Sequence, residues 1–139
     1  MNEIEDWLEL WGPDSYYWVP LEYQQESPKY VTSLLYEDAF LRALRVRRLD
    51  GARTFSQNPK SRCCHVLNRP NILEVDNDAG RFVTSTAFHY VETRLDNQFL
   101  LAAKARHELM LVDGQLKIAL KRVDILNCDA AFGNIQLFL

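Results

Sequence analysis

No stretch of this chain is apolar over membrane-spanning length, and the opening MNEIEDWLELW is acidic where a secretory leader needs basic residues before an apolar run. Both absences point to a cytoplasmic protein. Positive charge is also short, with 16 Lys and Arg against 19 Asp and Glu and a net charge of −3, so electrostatic binding to nucleic acid or an anionic membrane is not expected. Cysteine is scarce. The three thiols include the adjacent Cys63 and Cys64, an odd count that fits no disulfide framework and suits a reducing compartment. Internal repeats and low-complexity tracts are missing as well.

What remains is an ordinary globular composition, 47% apolar and 25% charged, and 139 residues suit one domain spanning 1–139. Ile4, Trp7, Leu8 and Trp11 stand at helical spacing, predicting a short amphipathic helix over Glu3 to Trp11 that Gly12-Pro13 stops. Asp14 to Pro20, aromatic and β-branched between prolines, reads as a strand at a sheet edge. A polar, mobile loop follows from Leu21 to Tyr30. The next helix is expected from Ser33, its N-cap, to Leu49. Tyr36, Ala39, Phe40, Ala43 and Leu44 would form its buried stripe, and Asp50-Gly51 its stop. Arg42, Arg45, Arg47 and Arg48 crowd its C-terminal end, where the helix dipole favours cations. A second polar loop spans Asp50 to Lys60.

From Arg62 the period changes to two. Strands are expected near Arg62 to Val75, with a bulge at Pro70, then Arg81 to Leu95, Phe99 to Val112 and Gln115 to Asn127. Turn signals at Asp76 to Gly80, Asp96-Asn97 and Asp113-Gly114 separate them, and connections so short make neighbours antiparallel. Phe82, Thr84, Thr86, Phe88 and Tyr90 should share one face. Leu116, Ile118 and Leu120 should share a face opposite Lys117 and Lys121. A short last strand is expected within Asn134 to Leu139. Helices first and a long antiparallel sheet after them define an α+β fold with a curved sheet wrapped around helices. It looks like the cone shared by nuclear transport factor 2 (NTF2) and ketosteroid isomerase.

Candidate chemistry is sparse. Cys63-Cys64-His65 holds a Cys-x-His, half of a Rieske iron–sulfur ligand set, but no Cys-x-x-His completes it, so the thiols read as small buried residues at the start of a strand. A mononuclear iron site needs two histidines and a carboxylate at one point. The three available histidines, His65, His89 and His107, each lie on a different strand, and His89 should face away from Phe88 and Tyr90. A proton-transfer site inside the cone could draw on His65, His89, Asp38, Tyr36 and Tyr90, against the simpler reading of an aromatic core with surface carboxylates. Arg42, Arg45, Arg47, Arg48, Arg53 and Arg62 read as ion-pairing or interface residues rather than an anion site. Arg47, on the apolar stripe, should be paired. Trp7, Trp11, Tyr16, Tyr17, Trp18 and Tyr23 form either a lid on the core or a partner surface.

Three ordered motifs carry a resemblance to a known family. The helix end Arg45-Val46-Arg47-Arg48-Leu49, with Pro59, Ser61, Arg62, His65 and Asn68 behind it, is similar to the central signature of the small (beta) subunits of aromatic-ring-hydroxylating dioxygenases. Trp7-Leu8 with Asp14 to Pro20 resembles the family's N-terminal motif, and Leu116 to Leu126 its C-terminal one; the family's usual helix before the first motif is longer. The resemblance implies the NTF2-like fold, a homotrimer of beta subunits in an α3β3 hexamer, and a partner alpha subunit holding the Rieske 2Fe-2S cluster and the mononuclear iron. This chain would then be a non-catalytic support, with no cofactor or metal of its own, in a complex that dihydroxylates an aromatic ring with electrons from NAD(P)H. The rival readings are a stand-alone NTF2-like isomerase or dehydratase, and a small-ligand-binding protein using the cone pocket.

Overall fold

The computed structural model describes residues 3–51, 61–128 and 139. Helix α1 (Glu3–Glu9) leads into β1 (Trp11–Pro20), followed by β2 (Ser33–Glu37), α2 (Ala39–Gly51) and five further strands. These are β3 (Arg62–Leu67), β4 (Asn71–Asp76), β5 (Arg81–Arg94), β6 (Asn97–Val112) and β7 (Gln115–Ile125). All seven strands form one curved, unclosed sheet in the order β2-β1-β7-β6-β5-β3, with β4 also on β5. The α+β class expected from the sequence is the class observed.

The long hairpins follow from local chemistry. Asp113 (φ 51°) and Gly114 (φ 77°) take the two left-handed positions of a tight turn, the conformation Asp-Gly accepts with least strain, and β6 and β7 pair directly across it. Leu95 (φ 54°) and Asp96 make the β5–β6 turn. Pro70 splits the expected first long strand in two. β3 covers the C-terminal part of β5 and β4 its N-terminal part, with the Asn68 N–H donating to the Ala87 carbonyl at 3.0 Å between them.

Three expectations about the N-terminal half are corrected. Residues Ser33–Glu37 are not the start of the helix but strand β2, paired antiparallel with β1; the helix begins at Ala39. Its cap is Asp38, whose Oδ1 accepts from the Leu41 N–H at 2.9 Å, while Ser33 Oγ accepts from Trp18 Nε1 at 2.9 Å. Strand β1 is not at an edge: it lies between β2 and β7 and runs parallel to β7, with Tyr17 beside Lys121. The polar loop after Pro20 is tied together by the buried Gln25 side chain, which accepts from the Leu21 N–H at 3.0 Å and donates to the Ser27 carbonyl at 3.2 Å.

The third correction concerns α2. Its apolar residues face outward: Phe40 is 69% exposed, Leu41 43% and Leu44 39%. The side turned to the sheet carries Arg42, Arg45 and Val46 instead. Arg42 is 1% exposed; its guanidinium donates to the Ser15 carbonyl (2.8 Å), Ser15 Oγ (2.6 Å) and the Glu37 carbonyl (3.2 Å), and stacks 4.1 Å from the Trp11 ring. Arg45 pairs with the buried Glu37 carboxylate. A cation whose two terminal amino groups are met by carbonyls and a hydroxyl can be buried where an unpaired one could not. Arg47, the residue expected to need such partners, is exposed.

The core lies between the helices and one sheet face, here termed the core face. Tyr17, Val19, Phe88, Tyr90, Leu101, Val123 and Ile125 fill it, each large side chain contributing about 1.5–3 kcal/mol through burial. Trp7, Trp11 and Tyr17 meet edge to face at 5.3 to 6.2 Å, closing its N-terminal side. The aromatic cluster thus divides: these three belong to the core, whereas Tyr23 is exposed and Tyr16 stacks on Tyr36 at 4.9 Å outside it.

Candidate functional site

Strand register decides which side chains can meet. On the core face β5 presents Phe82, Thr84, Thr86, Phe88 and Tyr90, as expected, with Glu92 continuing the row. His65 on β3 lies opposite Tyr90, its ring 5.1 Å from the phenol in an edge-on contact. The buried Tyr90 Oη donates to Glu92 Oε2 at 2.6 Å. Burial first, then the hydrogen bond to Glu92, raises the pKa of the phenol far above its ordinary value, so Tyr90 remains a donor at any working pH. Glu92 was legible only indirectly. A carboxylate two residues beyond an inward tyrosine on a strand must point the same way.

His107 is also on the core face, opposite Thr84 on β5 and Lys121 on β7. Six residues of β5 separate Thr84 from Tyr90, which sets His65 and His107 about 20 Å apart at about 3.3 Å per residue. Burial, and secondarily the Lys121 ammonium, hold the His107 pKa down to about 4. Burial also lowers that of Lys121 to about 8; its Nζ donates to the Leu139 carbonyl and sits 5.4 Å from the Tyr17 ring centroid. Lys121 points inward because Ala119 is an extra residue between the pairs Glu108↔Leu120 and Leu109↔Ile118. That bulge shifts the alternation by one, so Leu120 does not share the face of Leu116 and Ile118, and Lys121 is not on the face of Lys117.

His89 projects from the opposite face, as expected from its neighbours. It lines an open cleft of about 680 Å³ together with Val66, Asn68, Ala102, Lys104 and Leu126, edged by Tyr23 and by Arg122 held to Asp124. The histidines therefore do not converge. Among the described residues no group of three His, Cys, Asp or Glu could hold a metal. The proton-transfer set is dispersed too: Asp38 caps α2, Tyr36 is on β2 and His89 is on the far face, which leaves only His65 beside Tyr90. Cys63 and Cys64 begin strand β3 but are exposed, correcting the expectation of buried thiols; Cys128 is the buried one. Of the central motif, Ser61 is buried and Arg62 and His65 lie on exposed β3, while Pro59 and Arg53 fall outside the described residues. So does the strand expected before Leu139.

An open, curved sheet carrying its helices on one face is the α+β, NTF2-like architecture, the one found in dioxygenase beta subunits. The family model for the ring hydroxylating beta subunit matches residues 2–130, and the chain belongs to that family. It is 30% identical over 121 residues to the small oxygenase component of the p-cumate 2,3-dioxygenase system of Pseudomonas putida, covering 86% of this chain and 66% of that protein. It thus spans just under two thirds of that relative's length. Similar solved structures include the beta subunit of benzoate 1,2-dioxygenase from Burkholderia mallei, with 19% identity, a TM-score of 0.73 and coverage of 90% of this chain and 78% of that one. Naphthalene 1,2-dioxygenase with indole in its active site matches with 18% identity, a TM-score of 0.77 and coverage of 99% and 76%. At these identities the two structures bear on the fold alone.

Proposed function

We propose that this chain is the non-catalytic small subunit of a cytoplasmic aromatic-ring-hydroxylating dioxygenase. Its 139 residues form one domain that supports an alpha subunit bearing the Rieske 2Fe-2S cluster and the mononuclear iron. The observation that carries the reading is the family match over residues 2–130, and the p-cumate system relative supports it. The dispersal of His65, His89 and His107 agrees with ligands supplied by another chain. The relatives favour this reading over a stand-alone isomerase or dehydratase, for which the described residues of the core face offer His65 beside the Tyr90–Glu92 pair and, about 20 Å away, His107 beside Lys121. The assembly would be α3β3, built on a beta-subunit trimer, and the aromatic substrate would bind on the alpha subunit.

Co-expression with the alpha subunit of the same system tests the proposal. Light scattering after gel filtration should give the mass of a hexamer, with iron and ring dihydroxylation in the complex and neither in the isolated chain. Two chains that never associate, or turnover by this chain alone, would refute it.

A further inference from the structure

On the outer face of the sheet, register assembles a second feature. Two adjoining rows run across the strands, with Val66, His89 and Ala102 side by side in one and Ala87, Lys104 and Asp124 in the next. His89 and Lys104 therefore stand on one diagonal of a four-residue block and the two alanines on the other, at the spacing of about 7 Å usual for diagonal neighbours. The alanines leave a trough beside two nitrogen-bearing side chains. Leu126 and the loop after β1 wall it in, giving the cleft its volume of about 680 Å³, within the range of small-molecule sites. That wall is built before anything binds. Buried Gln25 accepts from the Leu21 and Glu22 N–H groups at 3.0 and 3.3 Å and donates to the Val31 carbonyl at 3.3 Å, which fixes the turn carrying Tyr23. A preformed wall spares a ligand the entropy of ordering it.

We propose that this cleft binds a small aromatic carboxylic acid, its carboxylate held by Lys104 and His89 and its ring laid on Ala87 and Ala102 against Tyr23. Charge selects the anion. Asp124 is already spent, both of its oxygens accepting from Arg122 at 2.9 to 3.1 Å, whereas among the described residues the Lys104 and His89 side chains have no hydrogen bond or ion pair. Glu22 is the other carboxylate of the lining; strand β7 separates its loop from Lys104, which directs the acid group towards β6. Shape selects the ring. Two methyl groups on a flat sheet with a phenol at the side accept a planar apolar body. A bare inorganic anion would leave the alanines, Val66 and Leu126 wet, and an uncharged ring would leave the ammonium unused. Both polar groups lie within one block of side chains, the footprint of a single head group rather than of an extended contact. The inference goes beyond the small-subunit reading and does not rest on it.

Calorimetric titration of the full chain with cinnamate tests the site, and the titration is repeated on the complex with the alpha subunit of the same system. One molecule should bind per chain with a dissociation constant below about 1 mM. Cinnamamide, which keeps the ring without the charge, and acetate, which keeps the charge without the ring, should each bind about 10-fold or more weaker. Lys104→Gln should weaken cinnamate binding about 10-fold, and Ala102→Leu, which fills the trough, by at least as much, with the melting temperature of each within about 2 °C of the original. Lys117→Gln, near the start of β7, should leave binding unchanged. The inference is overturned by the absence of saturable binding, by equal affinity for cinnamamide, or by undiminished affinity in Lys104→Gln. It is equally overturned if the chain binds cinnamate and the complex does not, which would make the cleft a subunit contact. A complex that fails to form refutes the small-subunit reading alone, and the titration of the chain then decides this inference by itself.

Discussion

Acid should destabilise this fold through His107 in particular. The imidazole is half-buried on the core face between Thr84 and Lys121, and its pKa is held at about 4, against an ordinary 6.5. Between about pH 4 and 6.5 the unfolded chain binds a proton that the folded chain does not, so stability falls as pH drops through that window. A depression from 6.5 to about 4, at about 1.4 kcal/mol for each factor of ten in proton affinity, gives roughly 3 to 4 kcal/mol as an upper bound, and partial solvent access reduces the expected loss to about 2 kcal/mol. Urea unfolding at pH 7, 6, 5 and 4, for the protein and for His107→Gln, isolates the effect, because carboxylates titrating below pH 5 act in both. The stability difference between the two should shift by about 2 kcal/mol in favour of the glutamine variant on going from pH 7 to 4. In Lys121→Met most of the depression should persist, since burial is its larger cause. A stability difference that stays flat across the range would refute the assignment of His107 to the core face.

Arg42→Met should cost about 2–4 kcal/mol in a urea titration, because Ser15 and the Glu37 carbonyl lose a charged donor while the methionine refills the space. Asp38→Ala should cost about 1 kcal/mol by removing the α2 cap, whereas Ser33→Ala should leave the helical circular dichroism signal untouched. Tyr90→Phe should lower stability by about 2 kcal/mol, since it strips a buried carboxylate of its donor. Tyr36→Phe, altering a half-exposed stack, should cost less than about 0.5 kcal/mol in the same assay.

The hairpins were legible in the sequence because Asp-Gly and its relatives act through their own dihedrals, and two-residue alternation then placed Phe88, Tyr90 and His89 on their proper faces. Errors gathered where distant contacts decide. Ser33-Leu34-Leu35-Tyr36-Glu37 has no period strong enough to oppose the helix beside it, and pairing with Trp18 and Val19 makes it a strand. Counting residues cannot find the extra Ala119, so strict alternation puts Lys121 on the wrong face. The interior position of β1 depends on β7, a partner far along the chain that leaves no local trace. The expected stripe fails as a unit, since Tyr36 lies on β2 and Phe40 and Leu44 face outward, because hydrophobic spacing reveals that a face needs covering without revealing by what. For the histidines, separate strands argued against a common centre, and register supplied the distance.

Strand β1 is made well before β7, the strand it lies against, so only β2 can flank it in the meantime. Such non-local pairing delays folding and leaves Tyr16, Tyr17 and Trp18 without their β7 neighbours until that strand has been made. A ribosome stalled before β7 would hold a nascent chain prone to clumping, and chaperone dependence should end abruptly once that strand clears the exit tunnel.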